Sequence, residues 1–174
     1  PNLIRLVSNM THCDNAHFLF IGEGDQKEMV KKAAGKLPNL TYHTPISQNE
    51  FEEILREVDI GLFSLSGDHT AHNFPGKLLG YMVNGIPILG SINKGNDLKE
   101  IVDNYGAGKV FVNGNDIDLK EGAEYLINNP ASRLKMGQQG IKLSKDLFSV
   151  KTAADTILTS YIKWKKSEQN STKK

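Results

Sequence analysis

Between residues 16 and 112, short apolar runs without polar alternation take turns with amphipathic stretches of helical period, and few architectures accommodate that rhythm. The runs are Ala16 to Ile21, Leu40 to His43, Asp59 to Ser64, Ile86 to Leu89 and Lys109 to Val112. Strands apolar on both faces, each followed by a helix, belong in a parallel sheet covered on both sides. Asp25 is expected to cap a helix to about Lys36. Ser47 with Glu50 three residues on forms a capping box, opening a helix through Phe51, Ile54, Leu55 and Val58. Further helices are expected from Lys77 to Asn84 and from Asp97 to Asn104. Beyond Asp116 the pattern is helical only. One helix runs to about Asn128, Asn129-Pro130 has the order of cap and first helical residue, and Ser149 caps a last helix through Ala153, Ile157, Leu158 and Ile162. The polar end, 167–174, is expected to be disordered.

The beginning does not fit a complete doubly wound domain. Leu3, Ile4, Leu6, Val7 and Met10 have helical spacing, whereas such a domain opens on a strand whose carboxyl end borders the ligand crevice. The fold class is therefore α/β, a Rossmann-like parallel sheet flanked by helices with its first strand missing. Residues 1–166 read as one domain, a fragment of a longer chain. A length of 174 residues is enough to bury a substantial core. The net charge of +1 lacks the basic excess of a nucleic-acid binder, so no nucleic acid is expected as partner. Cys13 is the single cysteine, which points to a reducing compartment and a cytoplasmic location. There is no apolar run of the roughly 20 residues that span a bilayer, and no signal peptide is visible.

Ligands of open parallel sheets bind beyond the carboxyl ends of the strands. Those ends are expected at Gly22-Glu23-Gly24, Thr44-Pro45-Ile46, 64–76, 90–96 and Asn113-Gly114-Asn115. Glycine recurs there, as close approach of backbone to ligand requires, although tight strand-to-helix turns explain single glycines equally. Gly22 and Gly24 lack the third glycine of a dinucleotide fingerprint, since position 27 is lysine. A helix starting near Gly76 would aim free N–H groups at the crevice, and Lys77 adds a charge that opposes the helix dipole unless an anion is received. Gly95-Asn96-Asp97 opens a second helix facing the same way. Two such starts suit a diphosphate. His69 with His72, and His12 beside Cys13, lack the further ligands of a metal site, and no metal is expected. No G-x-S-x-G elbow is present.

In order and spacing, FLFIGEGD (18–25), VDIGLFSL (58–65), FPGKLLGYMVNGIPIL (74–89), GNDLKEIV (95–102), YGAGKVFVNGND (105–116), NNPASRLKMGQQG (128–140) and LFSVKTAADTI (147–157) form a set. Together they resemble the C-terminal, donor-binding half of a GT-B glycosyltransferase. The likeness is to the large retaining family 4 that builds bacterial surface polysaccharides, and it covers about Leu3 to Ile162. In that family a donor loop E-x-F-G-x-x-x-x-E contacts the sugar with its first acid, the diphosphate with backbone N–H groups, and the ribose with its second acid. Laid on this chain, His72 and Gly80 occupy the two acid positions, with Asn73 and Phe74 beside the sugar position. Gly76, Lys77, Leu78, Gly95 and Asn96 fall at the diphosphate, and Thr44, Pro45 and Ile46 at the base. Members resembling aminodeoxysugar transferases carry P-S-K-L-x-E-Y-M-A-x-G-x-P instead. Of this motif the chain keeps Pro75, Lys77, Leu78, Tyr81, Met82, Gly85 and Pro87 and departs at Gly76 and Gly80. Loss of the ribose acid at Gly80 forfeits about 1.5–3 kcal/mol of donor binding by the usual worth of charged hydrogen bonds, unless Asn84 or Asn96 compensates.

The resemblance implies transfer of a sugar, with retention, from a nucleotide diphosphate-sugar serving as substrate, with no cofactor. The donor would be UDP-linked and the acceptor a saccharide or a lipid-linked one. It further implies a partner lobe, the N-terminal acceptor-binding domain, and an Arg/Lys pair in the segment before Pro1. Lys163-Trp164-Lys165-Lys166 would suit peripheral contact with the inner face of the cell membrane. The alternative is a non-catalytic nucleotide-binding or scaffolding module descended from such an enzyme; a receiver- or flavodoxin-type domain is disfavoured by the helical tail. These 174 residues alone are expected to bind nucleotide weakly and transfer nothing, and measurable sugar transfer by them would overturn that expectation.

Overall fold

The computed structural model describes residues 2–67 and 74–171. The chain opens on helix α1 (Asn2–Asn9). It then alternates β1 (Phe18–Ile21), α2 (Lys27–Ala34), β2 (Leu40–His43), α3 (Gln48–Glu57), β3 (Gly61–Ser64), α4 (Lys77–Val83), β4 (Ile88–Ile92), α5 (Leu98–Tyr105) and β5 (Gly108–Val112). Helices α6 (Asp116–Asn128), α7 (Pro130–Phe148) and α8 (Val150–Ser171) complete it. Every strand pair is parallel, but the ladders fall into two groups, β1-β2 and β3-β4-β5, with no pairing between β1 and β3.

Strand β4 separates two apolar cores. Phe63, Ile88, Ile92 and Val110 face α4, α5 and α7, joined by Leu78, Met82, Leu98, Val102 and Leu143. Leu89 faces the other way, where Leu6 and Val7 of α1, Met10 just after it, and Leu119, Ala123 and Leu126 of α6 pack with Phe18 and Leu40. This is the two-sided covering that apolar strands demand. Helix α7 reaches α4 through small residues. A β-carbon on Gly137 would stand 1.8 Å from the Gly85 carbonyl oxygen, which fixes how closely the two backbones approach.

Local signals set most boundaries. The Ser47–Glu50 box forms in both directions, Glu50 N–H to Ser47 Oγ and Ser47 N–H to Glu50 Oε2. Ser149 Oγ accepts from Thr152 N–H at the start of α8. Asn129 and Pro130 open α7 in the expected order. The C-terminal carbonyls of α6 are met by Arg133, whose guanidinium donates to Leu126 and Ile127 C=O at 2.7 and 2.9 Å. Several expectations shift, and β1 and β3 begin at Phe18 and Gly61 rather than Ala16 and Asp59. Asp25 does not cap α2, which starts at Lys27 behind Gln26 with no side-chain cap. Strand β4 begins at Ile88 rather than Ile86 and continues through Gly90 and Ser91 to Ile92, since Pro87 has no N–H to give a ladder. Helix α8 spans Val150–Ser171. Much of α8 is in solvent; Ile157 is 71% and Trp164 54% exposed.

Helix α1 is tied to α6 by Arg5, which donates to both carboxylate oxygens of Asp116 at 2.6 and 3.0 Å. The Arg5 hydrogen bonds hold the Asp116 carboxyl below its usual range. A depressed carboxyl stabilises the fold above its unfolded pKa, and the contribution is lost as pH falls through the folded value. Asp116→Asn is therefore expected to cost stability at neutral pH and to flatten the loss toward acid, read from urea midpoints across pH. Gly137→Ala is expected to lower stability by about 1–3 kcal/mol or more, because the added methyl meets backbone rather than a movable side chain.

Candidate functional site

Within their ladder β3, β4 and β5 are parallel, so their carboxyl ends lie together, and polar side chains collect there. Ser64 ends β3 and is in register with Ser91 of β4, their hydroxyls 3.0 Å apart. Asn2, at the start of α1, donates to Ser64 Oγ at 3.4 Å and to Asn113 Oδ1, just after β5. Asn113 in turn donates to the Leu65 carbonyl, and Arg5 donates to Asn2 Oδ1 at 2.6 Å. A hydrogen-bonded floor thus links α1, β3, β4 and β5. Ser64, Ser91 and Asn113 fall within strand ends expected from sequence to border a ligand, whereas Asn2 and Arg5 were not singled out. The available signal was a serine or asparagine closing an otherwise apolar strand, repeated at β3 and β5.

Lys77 stands on the first turn of α4, directly beyond the loop that follows β3. The residue is exposed overall, yet protein packed around its ammonium desolvates it and pulls its pKa below the usual lysine range. Among the described residues no carboxylate pairs with it. The N–H groups of Gly76 and Lys77 make no backbone hydrogen bond among the described residues, whereas Leu78 N–H donates to Pro75 C=O and its side chain is fully buried in the core. Leu78 is thus a packing residue rather than a diphosphate donor. At Gly80, the expected ribose position, an added β-carbon would meet nothing within 4 Å among the described residues. Asn84 does not compensate: it lies at the far end of α4 and donates to Gly80 C=O at 2.8 Å.

Gly95 takes a left-handed conformation (φ +84°) in the turn before α5. Asn96 is buried and occupied internally. Its Oδ1 accepts from Leu98 N–H at 3.0 Å, its Nδ2 donates to Asn93 Oδ1 at 3.1 Å, and its N–H reaches Asn93 C=O. It shapes the turn instead of offering a side chain to the crevice. Phe74 leaves the donor loop and stacks on Phe148 with ring centroids 4.3 Å apart. His69, His72 and Asn73 lie outside the described residues. Thr44 and Pro45 are exposed and Ile46 half-buried at the end of β2, clear of this floor. Gly22 and Gly24 follow β1, and Tyr42 donates to Gly22 C=O at 3.1 Å. Gly90, expected in a strand-end loop, sits inside β4. One group of metal-type donors occurs among the described residues, His12, Cys13 and Glu124, at the opposite end of the strands. Lys120 already competes there for Glu124 at 3.5 Å.

Parallel strands covered by helices on both faces, with polar groups gathered at the carboxyl ends, define a Rossmann-like domain. The family model for glycosyl transferases group 1 matches residues 2–143, most of the chain, and the chain belongs to that family. Among solved structures, it is similar to S. aureus TarM in complex with fondaparinux, alpha-GlcNAc-glycerol and UDP, with TM-score 0.72 and 16% identity over 91% of this chain and 31% of that one. It is similar to Anabaena Alr3699/HepE in complex with UDP-glucose, with TM-score 0.66 and 15% identity over 91% of this chain and 44% of that one. WaaG, a glycosyltransferase involved in lipopolysaccharide biosynthesis, aligns with TM-score 0.62 and 19% identity over 90% of this chain and 42% of that one. At these identities the likeness is one of fold, that of the C-terminal half of a GT-B glycosyltransferase. The chain thus spans less than half of each of these solved chains. By sequence, no curated protein matches it.

Because the folded state disfavours charged Lys77, its ammonium costs stability below the folded pKa, and that cost is relieved as pH rises toward 10.5. An NMR titration of the Lys77 side chain is expected to give a value below 10.5, and a value at or above it would contradict the desolvation.

Proposed function

We propose that this chain is the donor-binding half of a retaining glycosyltransferase. It would hold a nucleotide diphosphate-sugar, UDP-linked, whose sugar passes to a saccharide or lipid-linked acceptor bound by an N-terminal lobe. The observation that carries the reading is Lys77: a desolvated ammonium at the carboxyl end of the sheet with no carboxylate partner among the described residues. A leaving diphosphate would supply the missing negative charge. Catalysis of such a transfer consists mainly of stabilising charge that develops on the departing phosphate oxygen. Lys77 and the N–H groups of Gly76 and Gly95 are assigned that task, Gly22 and Gly24 give the nucleotide close access to β1, and Thr44, Pro45 and Ile46 border the base. UDP in the TarM complex and UDP-glucose in the HepE complex support a UDP donor. The exposed apolar side chains of α8 are assigned to the second lobe, and Trp164 between lysines to peripheral membrane contact from the cytoplasm.

A degenerate, non-catalytic module is the second reading, favoured by one observation, the absence of an acid at Gly80. Calorimetric titration with UDP, UDP-glucose, UDP-GlcNAc and GDP separates the readings. Binding of UDP at millimolar concentration or below is expected, and no binding of any nucleotide would remove the donor site. Lys77→Met is expected to weaken UDP about 10- to 150-fold, the worth of about 1.5–3 kcal/mol for a hydrogen bond to a charged group. Binding to the unaltered chain should also fall at high pH as Lys77 deprotonates. Gly80→Glu, whose β-carbon meets nothing within 4 Å among the described residues, is expected to tighten UDP by restoring a ribose acceptor. An unchanged affinity would mean that the ribose lies elsewhere.

A further inference from the structure

We propose that His12, Cys13 and Glu124 form a binding site for a zinc ion, at the end of the strands away from the crevice. On sequence alone His12 and Cys13 lacked further ligands. Folding supplies one, because α6 sets Glu124 against the turn that joins α1 to β1. His12 Nε2 lies 3.5 Å from Cys13 Sγ and 3.5 Å from Glu124 Oε1, and the three donor atoms all fall within 4.8 Å of one another.

A thiol, an imidazole and a carboxylate in contact suggest two chemistries. A nucleophilic triad needs the thiol on one ring nitrogen and the carboxylate on the other. Here Nε2 faces both groups, so the ring cannot relay a proton from sulfur to carboxylate. Lone pairs converging on one point suit a cation instead. Bonds of about 2.3 Å to sulfur and about 2.0–2.2 Å to nitrogen and oxygen set tetrahedral zinc ligands ~3.3–3.6 Å apart. Both 3.5 Å separations lie in that range. Thiolate with imidazole selects zinc over magnesium or calcium. Deprotonated Cys13 and Glu124 would balance the two charges of the ion, the thiol proton passing to solvent.

The donors are held in place and yet reachable. Met10, fully buried, anchors the turn, where Cys13 N–H donates to Met10 C=O at 3.0 Å and Ala16 N–H to Cys13 C=O at 3.1 Å. Glu124 follows Ala123, which is buried in the same core as Met10. Both ligand-bearing backbones are thus fixed before an ion arrives. An open cleft of about 430 Å³ leads to the three side chains, which leaves a fourth position to water. The competitor is Lys120, whose ammonium stands 3.5 Å from Glu124 Oε1 in a partly exposed i,i+4 pair. Such pairs hold weakly, and the long lysine stem can swing into solvent.

Cobalt(II) titration tests this without nucleotide, so its outcome is independent of the donor-site reading. Cobalt is a coloured stand-in for zinc. Cys13 is the only thiol of the 174 residues, so a thiolate-to-cobalt charge-transfer band reports on that one side chain. One ion per monomer is expected, with a tetrahedral spectrum that added zinc abolishes by displacement. Cys13→Ser should lose the charge-transfer band. His12→Ala and Glu124→Gln should each weaken binding by about 10- to 100-fold or more, at least what loss of an outer-shell partner costs. Lys120→Met should tighten binding by removing the competitor. Zinc should also raise the Tm of the unaltered chain more than that of Glu124→Gln, since Glu124 is the ligand that ties α6 to the turn. No thiolate band, two chains per ion, or an affinity indifferent to Glu124→Gln would each overturn the proposal, the last by reducing the site to the adjacent His12-Cys13 pair.

Discussion

The domain depends on β4 being buried at every one of its five positions. A strand buried on both faces and paired on both edges can only be satisfied by parallel neighbours with helices above and below. Its alternation then apportions the cores, Ile88 and Ile92 to one and Leu89 to the other. Gly90 belongs to the same constraint, because a β-carbon there would stand 2.2 Å from the Phe63 ring. Aligning β3 and β5 against β4 brings their carboxyl ends side by side. The crevice is a consequence of that alignment rather than a separate feature.

The same alignment sets the chemistry of the crevice. Ser64 and Ser91 meet because they share a register position, and Asn113 reaches Leu65 because β5 lies in the same ladder set. Neutral hydrogen-bonding groups occupy most of the floor, and Lys77, on the first turn of α4, carries a partly desolvated positive charge. Such a setting suits an anion that must be held and then released. The split between the two ladders bears on the same place, since Lys77 and Tyr81 border the cleft between them.

Much of this was legible in the residues, and the misses have identifiable causes. Every strand and helix was expected in its observed order, and the Ser47–Glu50 box formed because both halves of the signal are local. Strand β4 was placed two residues early, because Gly90 and Ser91 have turn-like side chains and only burial between β3 and β5 makes them strand. At the candidate site Gly76, Lys77 and Gly95 could be marked from their place beyond apolar runs. Ser64 and Asn113 were placed at strand ends in the same way, but their link through Asn2 was not, since those contacts join residues 62 and 111 positions apart. Phe74 was placed by motif at the donor loop, but its ring found Phe148, an apolar partner on α7 that no local pattern announces.

Sequence by itself determined the α/β class, the parallel sense of the strands and the helical tail, because each is written in periodicity or in a cap spanning a few residues. Tertiary structure alone decided that the sheet divides between β1 and β3, that Asn96 folds inward, and that Lys77 loses part of its solvation. Those outcomes depend on which strand edges meet and which atoms crowd a charge. Both are set by contacts between distant parts of the chain, which carry no local signature.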